Sequence, residues 1–226
     1  MQSYTNRNKK QNLLQDGFLQ IILANSLILL LTSPTLERFE VENLFFHIMI
    51  EHLLYLAIGF LNASGFDSII KSFKSSSSNY RSRILKYYSN YLALNNKFNP
   101  FGLITGLLFI IILFYWHIPS NFDSAIVDFN THILMHFSII LSGIFLYSSS
   151  KMISRIQLLV FILSIDKTMG VLGFFLASGN SQIYQTYPLS VQMTSGFWMI
   201  IMMVGIDLLC IPVSYTHLTL PTSDLV

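Results

Sequence analysis

Six apolar runs recur along this chain: Phe18–Thr32, Leu44–Leu61, Phe101–Ile118, Phe129–Tyr147, Ile156–Ala177 and Met193–Ile211. A helix needs about 20 residues to cross the hydrocarbon core, with a range near 17–25. The first run is short and borrows Leu13 and Leu14; the others reach that length. Charged residues make up 11% of the chain, against about a quarter in soluble domains. The pattern predicts an all-α, polytopic membrane helix bundle with about six transmembrane helices, forming one domain over residues 1–212.

Loop charge sets the orientation. The N-terminal arm carries Arg7, Lys9 and Lys10, and the first connection carries Glu37, Glu40 and Glu42 against Arg38. The second connection, about residues 63–99, is long and basic, with Lys71, Lys74, Arg81, Arg83, Lys86 and Lys97 against Asp67. The third has Asp123 and Asp128, the fourth Lys151 and Arg155, and the fifth (179–192) no charge. Basic loops stay cytoplasmic. The N-terminus and the second and fourth connections are therefore expected inside, and of the thirteen Lys and Arg residues only Arg38 and Lys167 depart from the rule. The first run is read as a retained helix, not a signal peptide, because no small-residue cleavage site follows Leu31. Ser75–Ser78 reads as a solvated linker. The expected location is a cell membrane, of the prokaryotic plasma-membrane type, with the lipid bilayer as partner.

Other chemistries find little support. The lone Cys210 sits in an apolar run and reads as packing. There is no CxxC, HExxH, phosphate-cradling glycine loop or nucleophile elbow, so no enzyme activity and no nucleic-acid partner are expected. The last residues, from Val213, match the translation of a transposon-end and adapter string from sequencing libraries. Val213–Val226 is accordingly expected to be adapter read-through, which removes His217 from consideration and leaves the native C-terminus, with any seventh helix, beyond view.

Five histidines remain: His47, His52, His117, His132 and His136. With the N-terminus inside, the second run starts outside near Asn43. His47 then lies roughly 6 Å and His52 roughly 14 Å below its start, at 1.5 Å per residue. His117 sits where the third run exits, and His132 and His136 lie roughly 5 and 11 Å into the fourth. All five thus fall in the outer half of the membrane. His132 and His136, four apart, share a helix face. His47 and His52, five apart, are expected roughly 140° apart, with one pointing elsewhere. Glu51 shares a face with His47, while Met49 and Met135 lie near the histidines in sequence. Imidazole suits zinc, copper and iron, and thioether sulfur selects Cu(I). Intramembrane ionisable groups face the bundle interior and mark function. Asp166 and Lys167 lie mid-run in the fifth segment and, as neighbours, are expected to need separate partners.

The block Trp116-His-Ile-Pro119, a short outer loop, then His132-Ile-Leu-Met-His136 resembles the CtaG-type cytochrome c oxidase assembly factors. Ser142-Gly143, Tyr147, the His47–Leu54 stretch and Asn99-Pro100 continue the likeness, with fainter matches at Tyr184–Tyr187 and Gly196–Trp198. The chain departs from the family in the five-residue spacing of its first histidine pair, in Val191-Gln192-Met193 where an acidic-glutamine motif opens the last helix, and in having six spans instead of seven. The layout is also similar to a small archaeal family of uncharacterised membrane proteins. The resemblance implies an accessory role in maturing a haem-copper terminal oxidase, whose subunits would be the partners.

The leading expectation is copper held by His47, His52, His132 and His136. His117 would line access from outside, Trp116 would anchor at the interface, and Met49, Glu51, Met135 and Asp166 are possible accessories. A membrane b-type cytochrome with bis-His haem is the first alternative. An ion- or proton-coupled transporter using Asp166 and Lys167 is the second. The orientation is testable directly. Cysteines placed in Ser120–Ser124 should react with an impermeant reagent from outside, and cysteines in Ser75–Ser78 should not; the reverse pattern would put the histidines on the cytoplasmic side.

Overall fold

The computed structural model describes the backbone of residues 2–73 and 79–219, and the side chains of residues 11–73 and 79–208. The serine run Ser75–Ser78, Lys74, the side chains of Arg7, Lys9, Lys10 and Cys210, and the packing of Val213–Val226 lie outside the described residues. Among the described residues every regular element is helical. In chain order these are α1 (Gln2–Leu31), α2 (Pro34–Glu42), a π-helical turn (Phe46–Glu51), α3 (His52–Ser72), α4 (Asn79–Phe98), a 3₁₀ turn (Pro100–Gly102), α5 (Leu103–His117), α6 (Pro119–Val127), α7 (Phe129–Ser150), α8 (Arg155–Ser178) and α9 (Leu189–Thr219).

Among the described residues six helical stretches are long and apolar enough to cross a membrane: Gln11–Leu31, Phe46–Ser72, Pro100–His117, Phe129–Ser150, Arg155–Ser178 and Leu189–Leu208. They correspond one to one with the six apolar runs, and the chain is a multi-pass helical membrane protein. The main difference is in the second. It runs on to Ser72, through polar residues that read as loop. Gly65 there packs against Gly17 of α1, and Asp67 is neutralised by Lys71 at 2.6 Å and Lys151 at 2.5 Å. Most of the remaining basic connection is α4.

The chain folds as two compact units, Met1–Glu42 with Phe46–Ser154, and Asn43–Phe45 with Arg155–Val226. In the first, α3 packs on α1 and on α7, and α7 also carries α5 and α6. The contact of α3 with α7 is made by backbone. A Cβ on Gly59 would lie 1.9 Å from the Ile140 carbonyl oxygen, and one on Gly143 would lie 2.1 Å from that of Leu56. No side chain fits at either position. Loop charge assigns both helices the same direction. Residues at equal offsets from the crossing therefore face each other: His52 and His136 about two turns before it, Asp67 and Lys151 about two turns after it.

Local signals explain the entries into α5, α6 and α7. The Asn99 Oδ1 accepts from the backbone N–H of Ile104 (2.9 Å) and Thr105 (3.2 Å), satisfying donors at the start of α5. Gly102 is left-handed at φ 69°, with its Cα side against Ser149. Pro119 ends α5 and opens α6, because the residue before a proline is driven extended; Ile118 has ψ 125°. Asp128 caps α7, accepting from the Thr131 amide (2.8 Å) and hydroxyl (2.6 Å), and these bonds hold its carboxyl below the usual range.

In the second unit α8 and α9 also meet at glycines, Gly196 packing against Gly173. Gln192 is fully buried and organises the preceding loop. Its Oε1 accepts from the amides of Ile183 and Tyr184, both at 3.0 Å, and its Nε2 donates to the carbonyls of Tyr184 and Tyr187, both at 2.7 Å. The faint family likeness at Tyr184–Tyr187 thus marks a loop that depends on Gln192. Lys167 and Asp166 do not find separate partners as expected: the Lys167 ammonium bridges Asp166 (3.3 Å) and Asp207. A lysine side chain is long enough to reach back across its own helix face to a neighbour.

The glycine crossing yields a stability prediction. Gly143→Ala should cost more than the about 1–3 kcal/mol typical of overpacking, because its Cβ meets backbone and not a movable side chain. Gly205→Ala, which meets nothing within 4 Å, should be neutral or stabilising. Thermal unfolding in detergent checks both; equal melting temperatures for the two variants would refute the tight crossing.

Candidate metal centre

The π-helical turn at Phe46–Glu51 changes the geometry expected for the first histidine pair. An α-helix puts residues five apart on different faces, but a π-helix closes its ring from i to i+5 and brings them together. The rings of His47 and His52 are accordingly 5.4 Å apart, edge to face. The five-residue spacing thus does on a π turn what a four-residue spacing does on an α-helix. The expectation that one histidine would point away is corrected: both are buried within the first unit.

On α7, His132 and His136 share a face as predicted, with ring centroids 4.3 Å apart. His47 lies 5.5 Å from His132 and 6.0 Å from His136, ring to ring. One ligand atom each from His47, His132 and His136 falls within a common 4.8 Å span, and the same holds for Glu40, Glu51 and His136. Two metal–nitrogen bonds of about 2.1 Å reach about 4 Å, so small side-chain rotations would bring either set onto one ion.

The carboxylates complete the donor set. Glu40 of α2 lies 3.2 Å from His132 Nε2, and Glu51 lies 3.6 Å from His136 Nε2 and 3.9 Å from His47 Nε2. Burial raises the Glu40 pKa, but hydrogen bonds with His132 and Glu51 outweigh it and hold that carboxyl below its usual range. Sequence reasoning treated Glu40 only as a loop charge. Nothing in local spacing connects it with His132, which lies in a different helix far along the chain. Tyr55, which stacks on His136 at 4.1 Å, and the fully buried Phe122, 4.9 Å from His47, were also missed. Tyr55 follows His52 by one turn, a signal the sequence did contain. Phe122 is delivered by α6, behind Pro119.

His52 and His136 supply a test of whether the site fits a metal. His52 is 2% exposed, and neither ring nitrogen has a hydrogen-bond partner. A buried donor left unsatisfied costs about 1–3 kcal/mol. His52 lies beside His47 and His117, with His136 at 6.4 Å, but outside both ligand sets. His136 Nε2, which belongs to both, is likewise buried without a hydrogen-bond partner, so a cation held there would satisfy it.

Two expectations change. His117 does not stand at an open exit: it is buried, with Nδ1 2.6 Å from the Leu113 carbonyl oxygen and its ring 5.3 Å from that of His52, edge to face. It packs the end of α5 against His52 at the start of α3. Trp116 is not an interface anchor, since its ring is 4% exposed and its N–H donates to Ser138 Oγ at 2.6 Å. Of the accessory residues, Glu51 is central, Met135 is fully buried in α7, Met49 is half-buried, and Asp166 belongs to the second unit, paired with Lys167.

The comparison with known proteins agrees with the resemblance seen at Trp116–His136. A family model described as cytochrome c oxidase caa3 assembly factor (Caa3_CtaG) matches residues 21–218. No curated protein and no solved structure matches the chain. The family match begins within α1, ends within α9 and spans every histidine of the cluster. The chain belongs to the cytochrome c oxidase caa3 assembly factor family.

Proposed function

We propose that this protein holds a copper ion through His47, His132 and His136, with Glu40 and Glu51 as further donors, and passes it to a terminal oxidase during assembly. The single observation that carries the reading is the convergence of these side chains, from three separate elements, within metal-bridging distance in a buried site. Copper is its cargo, and the protein performs no turnover of its own. The mixed imidazole–carboxylate donors suit copper, and also zinc or iron, on chemistry alone; the oxidase context of the family favours copper. On this reading the partners are oxidase subunits, and the setting is a plasma membrane whose outer face receives the ion.

Each residue has a distinct task. His132 and His136 present nitrogens from one face of α7, and His47 closes the set from the π turn. Glu40 and Glu51 offset the cation's charge and orient the imidazoles they face. Tyr55 fixes the plane of His136 by stacking, and Phe122 lies against His47. His117 packs on His52 and does not touch the ion.

Haem between α3 and α7 is disfavoured by the crossing. The two backbones touch about two turns below His52 and His136, which leaves no slot for a flat macrocycle between them. On the transporter reading Asp166 and Lys167 would form a relay; Lys167 instead bridges Asp166 and Asp207, one ammonium shared by two carboxylates.

Replacing His132 and His136 together with Ala should weaken copper binding beyond the roughly 10–100-fold cost of losing a supporting residue, with the protein still inserted. In a host that depends on it, oxidase activity should fall while oxidase polypeptides accumulate, and added copper should partly restore activity by mass action. His117→Ala should lower the melting temperature more than the affinity. A double variant that binds copper like the wild type would make the paired histidines structural; stoichiometric haem lost with the same mutation would restore the cytochrome reading.

A further inference from the structure

At the opposite end of the α3–α7 pair from the histidines, a second polar cluster surrounds Asp67. This carboxylate is 5% exposed and receives Lys71 Nζ at 2.6 Å, Lys151 Nζ at 2.5 Å, Tyr147 hydroxyl at 2.5 Å and the Tyr88 hydroxyl. Two ammonium groups share one carboxylate, so one positive charge is left uncompensated. Both lysines line an open cavity of about 360 Å³ between α3, α4 and α7, whose other walls are mainly apolar, with Phe66, Ile70 and Ile144 among them. That volume is at the lower end of small-molecule sites. Lys71 and Lys151 remain 37% and 42% exposed.

We propose that this cavity binds the phosphate of an anionic phospholipid at the cytoplasmic boundary of the membrane. Each lysine has three N–H donors and spends one on Asp67, so donors remain for a phosphate oxygen. An unneutralised charge at a membrane boundary is costly, and basic pockets between helices on this side are met by lipid headgroups. The apolar walls suit the start of an acyl chain and do not suit a free anion.

The element that roofs the cavity supports the lipid over a soluble phosphate. No described residue of α4 is buried. It exposes Tyr80, Tyr87, Tyr91, Leu94 and Phe98 beside Arg81, Arg83, Lys86 and Lys97. A helix with large apolar and basic side chains and no buried residue is the kind that lies in the headgroup layer.

The test uses the full chain, purified in uncharged detergent and titrated with phosphatidylglycerol or phosphatidylcholine while bound lipid is followed by native mass spectrometry. The wild type should prefer phosphatidylglycerol. Lys151→Gln leaves Asp67 paired with Lys71 and both tyrosines; it should weaken phosphatidylglycerol about fivefold, the worth of one basic group near a membrane surface, and leave phosphatidylcholine unchanged. Asp67→Asn frees both ammonium groups and should strengthen phosphatidylglycerol by a similar factor. A purely structural ion cluster predicts no change of lipid preference in Lys151→Gln, and that result would overturn the proposal. Displacement of phosphatidylglycerol by excess inorganic phosphate would overturn the lipid as occupant. If Asp67→Asn fails to fold, Lys151→Gln alone decides.

Discussion

The first unit depends on two helices whose backbones touch. At Gly59 and Gly143, α3 and α7 approach so closely that each glycine's missing Cβ would strike the other helix's carbonyl. Interiors are close-packed, and a side chain at either position would have to move backbone, not a flexible tip. The contact fixes both the separation and the register of the pair. Polar groups on the two facing surfaces then come to the same level, the histidines on one side of the crossing and Asp67 with Lys151 on the other.

The π turn acts in the same way at smaller scale. One extra residue in the turn before α3 rotates His47 onto the face of His52 and lets Glu51 face both His47 and His136. Single π turns inside helical segments recur at functional sites because they re-aim side chains without breaking the helix. His117, at the end of α5, packs edge to face on His52 just after the turn, at 5.3 Å. The Trp-His-x-Pro motif thereby acquires a physical meaning: the tryptophan pins α5 to α7 through Ser138, the histidine packs on His52, and the proline sends the chain into α6, which delivers Phe122.

How much of this was legible depends on whether the cause is local. The six spans and the shared face of His132 and His136 are local consequences of hydropathy and helical period, whereas the outer connection after Pro119 reads as loop and is helix α6. The helical character of residues 63–72 was not legible. Asn62, Ser64 and Asp67 look like loop until Gly17 and Lys151, distant in sequence, are placed beside them. Glu40 was visible only as a loop charge for the same reason.

The sequence by itself determined that this chain spans a membrane several times, which ends of its helices carry basic residues, and that its histidines cluster at one depth. Each of these follows from transfer free energy and from a repeat of 3.6 residues, properties that act residue by residue. Only the tertiary structure decided which histidines converge, that Glu40 joins them, and that His117 and Trp116 support the site from inside. Those outcomes rest on the backbone contact of α3 with α7 and on the π turn. Both are settled by packing between segments far apart in the chain, where no local pattern carries the information.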